Sequence, residues 1–144
     1  SSDLGYFNVK SRRLKSVVQW FEDAGGFERL DAMATDTLRA ELLAVHGVGP
    51  ETADDILLYA FDRPVFVIDA YTRRLFARVV ERPPAQSYED WRAWFEDALP
   101  RRSALYNQYH ALIVVHGKLV CRPRPRCTEC PVADLCAFAG AVGG

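Results

Sequence analysis

The chain has 144 residues, 49% of them hydrophobic, which predicts one domain or a little less, with enough apolar surface for a core. Its 18 Lys and Arg against 19 Asp and Glu leave a net charge of -1, which by itself argues against a nucleic-acid partner. No apolar run approaches the ~20 residues of a membrane span, and the polar N-terminus does not read as a signal peptide, so no membrane partner is expected and the expected location is cytoplasmic, or nuclear in a cell that has a nucleus.

The elements follow from apolar spacing and from breakers, with no solenoid repeat and no low-complexity linker between them. A first helix is predicted from about Val9 to Ala24, with Leu14, Val17, Val18 and Phe21 at helical spacing, and Gly25-Gly26 ends it. Thr35 or Asp36 is placed to cap the next helix, which carries Leu38, Leu42 and Val45. Gly47-Val48-Gly49 then makes a tight turn. Pro50 suits the first position of a helix running to Phe61, with Ala53, Ile56, Leu57 and Ala60 on one face. A glycine tolerates positive φ and, lacking Cβ, lets another backbone approach. The N–H groups at about Gly47, Gly49 and Glu51 to Ala53 favour an anion such as a phosphate. A plain αα-corner accounts for the same pattern without a ligand.

Arg63-Pro64 breaks the helical pattern. Val65 to Ile68 resembles a buried strand in isolation, but with no convincing second strand it is read as an extended connector. Asp69 follows as an N-cap for a helix with Leu75, Phe76 and Val79. Pro83-Pro84 makes a loop, and Ser87 opens a helix with Trp91, Trp94, Phe95 and Ala98 at i, i+3, i+4 and i+7. A last long helix is predicted from about Ser103 to Lys118, with Leu105, Tyr109, Leu112 and Ile113 inward. His110 and His116 on it are read as structural. The fold class is all-α. Residues 1–80 hold the hairpin (about 37–61) and the Asp69 segment, residues 81–144 the later helices and the cysteine loop, in one compact unit. The small, Gly-rich tail after Ala137 is expected to fray.

All four cysteines fall in one segment, Cys121, Cys127, Cys130 and Cys136, spaced C-x5-C-x2-C-x5-C. Four thiolates converging on one centre hold zinc or a [4Fe-4S] cluster. Zinc sites usually show two C-x2-C pairs, and the wider loops here suit a bulkier cubane. Disulfides remain an alternative, with nothing pointing to secretion. Between Ala98 and Thr128 lie Arg101, Arg102, Lys118, Arg122, Arg124 and Arg126 with no acidic residue, an asymmetry that places a positive face on a nearly neutral protein. Lys118 and Arg122 are candidate backbone contacts, and solvated surface charge is the competing reading.

The Gly-Val-Gly turn, an aspartate about twenty residues on and four C-terminal cysteines together resemble the endonuclease III family, in the helix-hairpin-helix superfamily of DNA glycosylases. The family hairpin reads like L-P-G-V-G-x-K-T-A; here it is Val45-His46-Gly47-Val48-Gly49-Pro50-Glu51-Thr52-Ala53. The family's V-D-T-H-x-x-R corresponds to Ile68 to Arg74, and the cysteine loop is similar to the family's iron–sulfur loop. The likeness runs from about Gly5 to Cys136. It implies double-stranded DNA with a damaged base as partner, hairpin contacts through Gly47, Val48, Gly49 and Thr52, Asp69 as the catalytic carboxylate, and a monovalent cation at the hairpin carbonyls. A monomer is expected.

Three departures shape the expected function. Glu51 stands where bifunctional members have a catalytic lysine, and a carboxylate forms no Schiff base. None of the three lysines, Lys10, Lys15 and Lys118, matches that position. A monofunctional glycosylase with weak or absent lyase activity is therefore expected, most like the 3-methyladenine branch, with Glu51 either lining the pocket or orienting water, or a plain first-turn glutamate favoured by the helix dipole. The first cysteine spacing is x5 where the family has x6. Family members also carry helices upstream of the first one here, so the chain is either a fragment or lacks them. The competing readings are an endonuclease III-like lyase on oxidised pyrimidines and a DNA-binding module without chemistry. In the favoured reading the base leaves the duplex, and the C–N bond breaks through an oxocarbenium-like sugar. Tyr59, Phe66 and Tyr71 are candidate walls for the flipped base, with a place in the core as the favoured competing reading of each.

Overall fold

A computed structural model describes residues 2–84 and 86–142, without the side chains of residues 2–8 and Lys10. Eight α-helices are present among them and no strand, so the all-α expectation holds. The helices are α1 (Ser2–Asp23), α2 (Phe27–Asp31), α3 (Thr35–Leu43), α4 (Pro50–Tyr59), α5 (Ala70–Val79), α6 (Tyr88–Ala98), α7 (Ser103–Leu119) and α8 (Ala137–Val142). The chain divides into two units, Ser1–Arg63 and Pro64–Gly144. The division falls at the Arg63-Pro64 break, upstream of the boundary near residue 80 read from the sequence.

In the first unit, α1 begins earlier than its apolar spacing implies, and it exposes Leu14 and Val18. The spacing therefore marked a helix but not a buried face. Gly25 and Gly26 end α1 at φ 92° and 87°, the left-handed region open to glycine. The expected side-chain cap of α3 is absent. Ala34 is the N-cap, and the Thr35 hydroxyl accepts instead from Arg63 at 3.0 Å. The same guanidinium donates to the carbonyls of Met33 at 2.8 Å and Asp31 at 2.6 Å, tying the α2–α3 turn to the end of the unit. Leu30, Leu38, Leu42, Ala53 and Leu57 form a core with no solvent exposure. Within it lies Asp54, also fully buried, which accepts from Arg39 Nε at 2.7 Å and Nη2 at 3.1 Å. A bidentate guanidinium makes a buried carboxylate tolerable. On α4, Ala53 and Leu57 are buried as expected, whereas Ala60 is exposed.

The second unit is built around the connector Val65–Ile68. All four residues are buried without a strand partner. Side chains supply the missing acceptors: Glu96 Oε1 accepts from Phe66 N at 3.1 Å, and the Tyr88 hydroxyl accepts from Ile68 N at 3.3 Å. Buried N–H groups must find acceptors, so α6 replaces the neighbouring strand. The Phe66 ring stacks on Phe95 with centroids 4.1 Å apart and meets the edge of Tyr106 at 5.3 Å. Ser87 caps α6 by accepting from Asp90 N.

Helices α5 and α7 pack together at Gly117, where a Cβ atom would lie 2.6 Å from Tyr71 Cδ1. Tyr106, Ile113 and Gly117 are the buried positions of α7. Leu112, expected inward, is 65% exposed, because the face that meets α5 is set by the register of Gly117. Of the tail after Ala137, expected to fray, residues 143 and 144 lie outside the described residues. Residues 137–142 form α8, and Phe138 lies under the Arg78 guanidinium, 5.3 Å from its ring centroid.

Candidate functional site

The hairpin lies in the first unit. Helix α3 ends at Leu43, and Val48 N donates to Val45 O at 3.1 Å to close the turn. Val48 is buried and anchors the loop, which leaves Gly47, Gly49, Glu51 and Thr52 at the surface. Gly47 has φ 83°, and a Cβ there would meet Arg13 Cγ at 2.8 Å. Gly49 makes no use of positive φ. It is extended, at φ -95° and ψ -179°, and nothing lies within 4 Å of where its Cβ would be. Its lack of a side chain keeps a surface clear rather than permitting a turn. Pro50 opens α4, whose N-cap Gly49 makes no side-chain bond, and the first turn of a helix is the positive end of its dipole.

Asp69 lies in the second unit at the end of the buried connector. It is the N-cap of α5, as its place in the sequence predicts. Oδ1 accepts from Thr72 N at 2.8 Å and from Thr72 Oγ1 at 2.9 Å. Oδ2 lies 2.8 Å from His110 Nε2. Burial pushes the Asp69 pKa upward, but the His110 and Thr72 bonds, with the charge of the imidazole, outweigh it and hold the carboxyl below its ordinary range. The result is a fixed, ionised carboxylate with one side chain from α7 upon it. His110 was read from sequence as structural and unpartnered. Its spacing gave no signal, since its partner is 41 residues away in sequence.

The four cysteines border one apolar cavity with Leu75, Val79, Val120 and Phe138. Arg78 Nη1 donates to Cys121 Sγ at 3.4 Å, Cys130 Sγ lies 3.6 Å from His116 Nε2, and Cys136 Sγ donates to Arg78 O at 3.6 Å. Arg78 also donates to the carbonyls of Arg122 (2.7 Å) and Pro123 (2.9 Å), and Arg74 to those of Cys121 (3.0 Å) and Gly117 (2.9 Å). Helix α5 thus carries Asp69 at its start and grips the cysteine loop at its end. Among the described residues, no three His, Cys, Asp or Glu side chains converge as ligands of a single ion. No disulfide joins the four cysteines.

Other candidates separate by burial. Phe66 is 1% exposed and stacked in the core, so it is no wall for a base. Tyr71 packs on Gly117 with the Arg74 guanidinium 5.2 Å and Lys118 Nζ 6.0 Å from its ring centroid. Tyr59 is half-exposed in the first unit. Lys118, Arg122, Arg124 and Arg126 are exposed.

The helix-hairpin-helix motif matches residues 36–59. Over 135 residues, 92% of the chain, the sequence is 45% identical to the "Putative DNA repair glycosylase MJ1434" of Methanocaldococcus jannaschii, covering 61% of that protein. It is 30% identical over 135 residues to the endonuclease III of Sulfolobus acidocaldarius, with 93% of this chain and 58% of that protein covered. The chain spans about three fifths of the length of these relatives. A solved non-covalent endonuclease III–DNA complex shares the fold, with a TM-score of 0.76 at 22% identity over 99% of this chain and 63% of that one.

Proposed function

Since the chain belongs to the endonuclease III family of helix-hairpin-helix proteins, we propose that it serves a monofunctional DNA glycosylase that hydrolyses the N-glycosidic bond of a flipped, alkylated base in duplex DNA. The observation that carries this reading is the state of Asp69. A carboxylate that stays ionised and is held at both oxygens is suited to face the positive charge that develops on the sugar as the C–N bond breaks. Such stabilisation needs the charge in place before the reaction, and the Thr72 and His110 bonds supply that order.

The hairpin then serves as the phosphate anchor. Its open surface at Gly49 admits a DNA backbone toward the uncapped start of α4. Glu51 in the first turn of α4, where lyases of the family carry lysine, offers no amine for a covalent intermediate, so the strand is left intact. Glu51 is placed in this reading as a pocket or water-orienting group.

We read the cysteine loop as the holder of a [4Fe-4S] cluster, with zinc as runner-up, on its C-x5-C-x2-C-x5-C spacing and on the four thiols that border one cavity. Cys121, Cys127, Cys130 and Cys136 would hold the cluster, with Arg78 donating toward sulfur. The group would tie the loop down and present Arg122, Arg124 and Arg126 to phosphate as a rigid set.

The test is a panel of duplexes carrying alkylated, deaminated or oxidised bases, incubated with the protein and resolved with and without alkali. Release of alkylated bases, with strand breaks only after alkali, is the expected outcome. Breaks without alkali would instead favour a lyase. No release alongside salt-sensitive binding would leave a DNA-binding module.

A further inference from the structure

The buried positions of α7 are Tyr106, Ile113 and Gly117, and Gly117 meets Tyr71 of α5. His110 falls on the same face, at four, three and four residue steps through that series. An imidazole in such a seam needs a polar partner, and Asp69 Oδ2 lies 2.8 Å from its Nε2. Both side chains are largely sheltered, at 16% and 13% exposure. A carboxylate is only an acceptor, so Nε2 carries the proton and donates. Nε2 is thereby committed to Asp69 and is not a base toward water. Thr72 fills Oδ1 with two donors, and His110 takes one side of Oδ2. These contacts, on both oxygens, fix the rotation of the carboxylate about its Cβ–Cγ bond and leave one lone pair of Oδ2 unused by them.

We propose that His110 is a positioning residue for base excision, holding Asp69 through Oδ2 so that this remaining lone pair faces the reacting sugar. The assignment rests on the glycosylase reading above. It differs from a core histidine in what its removal does: a structural residue supports the fold, whereas a positioning residue governs the rate once the DNA is bound.

The experiment measures release of methylated purines from methylated duplex DNA by the full protein with its cysteine loop loaded. Wild type, His110→Ala and His110→Gln are compared, the last keeping an amide donor near the place of Nε2. His110→Ala is expected to lower kcat at least about tenfold with KM unchanged. His110→Gln recovers most of that loss, and free imidazole added to His110→Ala restores rate in a dose-dependent way. An alanine variant within twofold of wild-type kcat overturns the proposal, as does a loss that neither glutamine nor imidazole relieves. A second readout is independent of activity: the low-field Nε2–H proton of His110 in the wild-type NMR spectrum, which moves upfield in Asp69→Asn. If wild type releases no base but this proton responds to Asp69→Asn, the glycosylase reading fails while the pairing stands. If the proton is absent or indifferent to Asp69, the positioning role fails whatever the activity.

Discussion

At the residue scale, the informative side chains are those whose partners lie far away in sequence. Asp69 is the clearest. Asp69→Asn is expected to lower single-turnover base release at least about a hundredfold, because the amide brings no charge to the developing cation. Its pKa in the folded chain is depressed, so its ionised form adds stability above its unfolded value, and that stability is lost as pH falls through the folded value. Thermal unfolding of wild type and Asp69→Asn should therefore differ at pH values above the ordinary carboxylate range. The gap should narrow in acid, below that range. A gap that persists unchanged into strong acid would mean the carboxylate is not held as described. The buried Asp54 makes a comparable claim without a catalytic role. Arg39→Met removes the bidentate guanidinium from a carboxylate with no exposure and is expected to cost about 3 kcal/mol by chemical denaturation.

At the scale of elements, glycines distinguish a turn from a surface. Gly47→Ala places a Cβ at φ 83° and 2.8 Å from Arg13 Cγ, and should destabilise the chain by about 1 kcal/mol or more. Gly49→Ala meets nothing and sits in an ordinary backbone region, so its unfolding midpoint should match wild type. If the hairpin takes the DNA backbone, the same substitution should weaken duplex binding at fixed salt. Unchanged affinity would remove Gly49 from the interface. The connector makes a parallel case. Its residues carry strand propensity, yet its N–H groups go to Glu96 and Tyr88. Glu96→Ala leaves Phe66 N without that acceptor and should cost about 1–3 kcal/mol, read from the denaturation midpoint.

At the scale of the molecule, the cysteine loop joins α5 and α7 within the second unit through Arg74 and Arg78. The protein purified without oxygen should contain iron and acid-labile sulfide with visible charge-transfer absorbance, whereas zinc in their place would reject the cluster. If the loop holds the proposed cluster, stripping it should steepen proteolysis of residues 121–136, since the loop then loses the constraint of four thiolate bonds.

Much of this was legible in the sequence. Apolar periodicity and breakers located the longer helices but not the short α2 and α8, Gly-Val-Gly marked the hairpin and the motif spans 36–59, and Asp69 could be named as an N-cap from its place before a helix. These are local signals, in which a residue and its neighbours a few positions away fix the backbone. The chain by itself also determined that no lysine stands at position 51 and that the thiols crowd one segment. What periodicity did not give was the facing side of each helix, as exposed Leu112 and Leu14 show, nor the pairing of His110 with Asp69 and of Arg39 with Asp54. Those contacts depend on how one helix is rotated against another. Packing at sites such as Gly117 against Tyr71 sets that rotation, and only the tertiary structure decides it.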